Sequence, residues 1–136
     1  MGSWALRPLA TRLERGGLVT ERFGYSTRAT PAVGAERLAD RLAGRAEPPR
    51  HLVAHSLGGI VLAHLVERHP TLLPAETRIV LLGTPLAGSA VAQRLACGRI
   101  GRRLLAGSLV GGLDGQAPAW RAAHTLMIAG TRPVGP

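Results

Sequence analysis

Ser56 stands between the short apolar run His51-Leu52-Val53-Ala54 and a stretch, Leu57 to His69, that is apolar on nearly every side. Ala54 lies two residues before it, Gly58 two residues after, and Gly59 follows. A serine on a sharp strand-to-helix turn has a strained backbone, and its neighbours at minus two and plus two are crowded. Only glycine or alanine fits at those sites. Such strain would expose the Ser56 Oγ at the edge of a sheet as a nucleophile. The next backbone N–H, that of Leu57, would sit at a helix N-terminus, where it can stabilise an oxyanion. Gly59 would let the helix pack closely on its strand. The competing reading is a glycine-rich turn whose serine merely caps the helix.

The elements around this turn follow from apolar spacing. Leu6, Leu9, Ala10 and Leu13 form one stripe of an amphipathic helix over residues 3–15. Pro8 places its regular start near Arg7, and Gly16-Gly17 stops it. Residues 18–25, with Leu18, Val19, Phe23 and Tyr25, read as a short strand, and 26–34 as a loop. Ala35, Leu38, Ala39 and Leu42 predict a helix over 34–46 that ends before Pro48-Pro49. Residues 50–54 predict a buried strand and 57–69 a buried helix. Arg78 to Leu82 predicts a second buried strand, with a turn at Gly83-Thr84-Pro85. Residues 89–97 read as a helix, 98–119 as a broken helical region, and 124–129 as a last strand. The alternation of helix and continuous apolar strand predicts an α/β protein. Its parallel sheet should carry helices on both faces, with all strand C-termini at one edge, where ligands bind.

Composition narrows the partners. The chain has 136 residues and is 46% hydrophobic, which suits one core and excludes intrinsic disorder. One cysteine, Cys97, excludes an internal disulfide framework and a Cys-rich zinc site. The net charge is +9, yet all 17 basic residues are arginine, and only Arg99, Arg102 and Arg103 lie close together. With Trp4, Phe23, Tyr25 and Trp120 as the whole aromatic set, there is no stacking platform, so no specific nucleic-acid partner is expected. No apolar stretch approaches the length of a membrane span and no export signal is visible, so the default location is cytoplasmic. Oligomeric state is not written in the sequence.

Residues 50–67, including His-Leu-Val-Ala-His-Ser-Leu-Gly-Gly-Ile-Val-Leu-Ala, resemble the nucleophile segment of α/β-hydrolase-fold lipases and esterases. Residues 78–89, with Ile-Val-Leu-Leu-Gly-Thr-Pro-Leu-Ala-Gly-Ser, resemble the next strand and loop in the bacterial lipase-like branch. Residues 6–25 resemble the segment before the nucleophile strand. Ala54 stands where glycine is commonest, a variant also met in that branch. The resemblance implies a three-layer sandwich, Ser56 as nucleophile, the Leu57 N–H as oxyanion donor, and a small-molecule or lipid ester as substrate. An acyltransferase would use the same acyl-enzyme. The chemistry implies no metal and no organic cofactor.

The resemblance also carries departures. The family's oxyanion loop follows a strand that precedes the first helix here. Its acid and histidine follow later strands, in the order Ser, acid, His. Residues 1–136 are therefore expected to be a single partial domain, incomplete at both ends, with little or no turnover of its own. Within the chain, Asp114 and His124 have the right order, but Asp114 precedes the last strand and His124 begins it at the far end. His55 should point aside from the turn, while His51, His64 and His69 read as structural and Cys97 as buried filler. Thr84 and Ser89, after the second buried strand, could line a pocket or serve as turn and cap residues. A non-catalytic binding module on the same scaffold is the alternative to an enzyme.

Overall fold

A computed structural model describes residues 3–87, 107, 109–120, 122 and 124–130. A short 3-10 turn, Ser3–Leu6, leads into α1, Arg7–Arg15. Then come α2, Pro31–Ala43, β1, His51–His55, α3, Leu57–Arg68, β2, Arg78–Leu82, and β3, Thr125–Ile128. The three strands form one sheet in the order β1-β2-β3, and both pairings are parallel. The chain is thus of the α/β class. Leu52 lies opposite Ile79, Ala54 opposite Leu81, and Leu81 opposite Met127.

One face of the sheet makes the core. Ala54, Ile79 and Leu81 share a cluster with Ala35, Leu38 and Ala39 of α2 and with Val61, Leu62 and Leu65 of α3. Ile60, Leu65 and Leu81 are among the largest fully buried side chains, each contributing roughly 1.5–3 kcal/mol by burial. Gly34 lets α2 approach α3, since a Cβ there would lie 3.2 Å from Val61 Cγ2. On the opposite face Val53, Val80 and Leu82 are half-buried, while Leu126 and Ile128 are exposed. No core cluster of the described residues joins a helix to that second face.

Two expectations need correction. Residues 18–25 form no strand. Leu18 and Val19 are exposed, Glu21 is held by Arg41 of α2 and by Arg45 just beyond it, and only Phe23 and Tyr25 pack on the core. That alternation resembles a strand but finds no ladder partner among the described residues. The second helix starts at Pro31, three residues before the expected start at residue 34, and ends at Ala43. Thr30 caps it, its Oγ1 accepting from the Val33 N–H at 3.4 Å, and Pro31 occupies the first turn, where its missing N–H costs nothing.

β1 and β2 stand where the apolar runs place them, and β1 extends to His55. The region read as broken helix contains a kinked helical turn, Leu109–Leu113, with Gly111 at φ 65°. Ser89, Cys97, Arg99, Arg102 and Arg103, and the helix expected over 89–97, lie outside the described residues. Among the described residues no helix is long and apolar enough to cross a membrane.

Candidate active site

β1 delivers Ser56 to the edge of the sheet formed by the strand C-termini, and α3 begins at the next residue. Ser56 has φ 52° and ψ −124°, and is the sole non-glycine with positive φ among the described residues. That conformation costs of order 1–3 kcal/mol and persists only where the surroundings impose it. Two backbone bonds do so. The Ser56 N–H donates to the Leu82 carbonyl at 2.8 Å, and the Ser56 carbonyl accepts from the Gly59 N–H at 3.1 Å.

The Ser56 side chain makes no capping bond to α3. The helix-cap reading of this serine therefore fails on geometry. Its half-buried hydroxyl has no hydrogen-bond partner among the described residues. The crowding expected two residues after Ser56 falls one residue further on, at Gly59. A Cβ on Gly58 would lie 3.7 Å from Ala54 Cβ and 3.6 Å from the Tyr25 hydroxyl, ordinary contact distances that alanine meets without strain. At Gly59 even a Cβ is excluded, because it would lie 2.8 Å from Thr84 Cβ and closer still to the rest of that side chain.

Electrostatics favour negative charge at this turn. The Leu57 and Gly58 N–H groups open α3 without an acceptor among the described residues, and the helix dipole adds its positive end. Below them the Leu57 side chain is buried with Ile60 and Leu113, flanked by Tyr25 and Ala117. Burial pushes the Tyr25 phenol up to about 12, so it stays protonated at neutral pH. Thr84 does not line an open pocket. It is buried against the first turn of α3, and its Oγ1 has no partner among the described residues.

The other candidate groups are placed elsewhere. His55 is exposed. His64 is buried in α3, its Nε2 2.6 Å from the Gly111 carbonyl oxygen, to which it donates, and its Nδ1 has no partner among the described residues. His69 bonds Glu36 at 2.8 Å across α3 and α2. His51 lies at the opposite edge of the sheet, in an open groove of about 550 Å³ walled by Pro48, Pro49 and Pro74. The Asp114 carboxylate is occupied by its own loop, accepting the N–H groups of Gly111, Gly112 and Gln116 at 3.0 Å each. His124 is exposed at the start of β3, away from the strand C-termini. The described residues thus bring neither histidine nor acid to Ser56. They also contain no group of three or more potential metal ligands.

Tyr25, the His64–Gly111 bond and the Asp114 loop were not singled out by the sequence for the roles they play here. Each depends on contacts between segments far apart in the chain. Only the glycine-rich run Gly111-Gly112-Leu113-Asp114-Gly115 offered a local sign of a tight turn. No family model, curated protein or solved structure matches this chain.

Proposed function

We propose that the chain carries the nucleophile of a serine hydrolase of the α/β-hydrolase fold, lipase- or esterase-like, acting on carboxylic esters. The observation that supports this most is Ser56 itself, a non-glycine residue held left-handed between a parallel strand and a helix, with its hydroxyl left uncapped. Nothing about capping or packing requires a serine there, and the strain is retained at a place where charge can be stabilised. The same family resemblance that supports Ser56 extends over residues 78–89, which lead from β2 to Thr84.

In this reading the Ser56 Oγ attacks the ester carbonyl carbon as its proton passes to a base. The carbonyl oxygen becomes an oxyanion facing the Leu57 N–H. Collapse expels the alcohol, which takes up a proton, and water then hydrolyses the acyl-serine. No described residue supplies the base, so turnover by this chain is expected to be low even where Ser56 reacts.

A fluorophosphonate probe tests the nucleophile directly. Attack by Oγ forms an O–P bond and releases fluoride, leaving a stable adduct. Covalent labelling of the wild-type chain and none of Ser56→Ala is expected, with folding of both checked by circular dichroism. An unlabelled but folded wild type would favour the non-catalytic module, a reading motivated by the described residues bringing neither histidine nor acid to Ser56.

A further inference from the structure

Thr84 stands two residues beyond the end of β2, buried, with its side chain against Gly59 in the first turn of α3. Its Oγ1 is enclosed and makes no hydrogen bond among the described residues. A valine has the same shape without the hydroxyl, so packing alone does not call for a threonine, and the unpaired hydroxyl lowers stability. The Leu57 and Gly58 N–H groups of the same turn have no acceptor among the described residues. Among the described residues, two backbone donors without acceptors therefore lie on this turn, with a buried unpaired hydroxyl against it, beside a serine in a strained conformation.

Donors kept unpaired at rest are what a site for transient negative charge requires, because they need not be pulled from other partners when the charge appears. Thr84 is enclosed, so it does not meet the substrate itself. We propose that Thr84 is a positioning residue for Ser56. Its hydroxyl bonds the first-turn backbone once the Leu57 N–H is drawn to the developing oxyanion, and so holds the turn in shape for attack. The steric wedge on Gly59 fixes where α3 starts, and the hydroxyl steadies that start under load. This role rests on the reading of Ser56 as nucleophile.

The test is the second-order rate of fluorophosphonate labelling, read beside the melting temperature, for the wild type and for Thr84→Val, Thr84→Ser and Thr84→Ala. Valine is expected to melt no lower than the wild type and to label about tenfold or more slowly, as small misplacements of a reacting group do. Serine should keep a rate near that of the wild type, and alanine should be slow. The serine and alanine variants differ by the hydroxyl alone, so they decide the matter even where valine fails to fold. Equal labelling of those two, with the wild type reactive, overturns the role of Thr84 and leaves Ser56 standing. A folded wild type that does not label overturns both.

Discussion

The Ser56 N–H donates to the Leu82 carbonyl at 2.8 Å. This bond continues the β1–β2 ladder one residue past the His55–Leu82 pair, so the strained turn is fastened to the neighbouring strand as well as to its own. The left-handed conformation of Ser56 is therefore a tertiary property. β1 must stay in the ladder up to His55, α3 must begin at Leu57 to pack on the sheet, and one residue absorbs the whole change of direction.

If the surroundings impose that conformation, removing the Cβ should stabilise the protein. Ser56→Gly relieves strain of about 1–3 kcal/mol and costs about 0.5–1 kcal/mol in backbone entropy, for an expected net gain near 1 kcal/mol. Ser56→Ala keeps the Cβ and loses no cap, so its melting temperature should match that of the wild type. Thermal unfolding of the three proteins separates the cases. A glycine variant that melts lower would show that the turn is not strained.

The two glycines after Ser56 should behave differently. Gly58→Ala meets only ordinary contacts, and alanine suits a helix better by about 1 kcal/mol, so stability should hold or rise. Gly59→Ala runs into Thr84 and should cost about 1–3 kcal/mol. Adding Thr84→Ala should return part of that loss, giving a coupling above about 0.5 kcal/mol in a double-mutant cycle. Additive losses would mean that Thr84 is not the obstacle.

How much of this is legible in the sequence differs by element. β1, β2 and α3 are continuous apolar segments, and burial on all sides leaves such segments few alternatives, so their positions agree with the pattern to within a residue or two. α2 begins ahead of its apolar stripe because Thr30-Pro31, loop-like in composition, is also a cap followed by proline, which is how helices begin. Residues 18–25 have strand-like residues but no partner to make them a strand, and pairing is not a local property. The Ser56 turn was legible because a serine flanked by Ala54 and Gly58, between an apolar strand and an apolar helix, is a local pattern. The unpaired hydroxyl of Thr84 was not, because it arises from what a distant helix places against it.

Acid should weaken the fold through carboxylates whose partners are charged side chains or backbone N–H groups. The His69 hydrogen bond, then that of Arg68, holds the Glu36 carboxyl below its ordinary value of 4.5. Burial works to raise the Asp114 carboxyl, but the N–H groups of Gln116, Gly111 and Gly112 outweigh it and hold it below 3.8. A carboxylate with a lowered native pKa contributes stability that is complete above its unfolded value and is lost as pH falls through the native one. Urea midpoints should thus be flat from neutrality to about pH 5 and fall below it. Glu36→Gln and Asp114→Asn should each flatten that fall. An unchanged slope in both variants would rule out these two groups as its source.

The loop that closes over Leu57 is held from two sides. His64 Nε2–H donates to the Gly111 carbonyl at 2.6 Å, and Asp114 gathers the N–H groups of Gly111, Gly112 and Gln116. His64→Leu leaves the Gly111 carbonyl without its partner while removing the unpaired Nδ1, so the net cost should be about 1 kcal/mol. Asp114→Ala frees three N–H groups of the same loop, and their hydrogen exchange should quicken in either variant. Once one anchor is gone the other holds a loop that is already loose, so the double variant should lose less than the sum of the singles. Losses that add to within about 0.3 kcal/mol would mean that His64 and Asp114 secure separate pieces of structure.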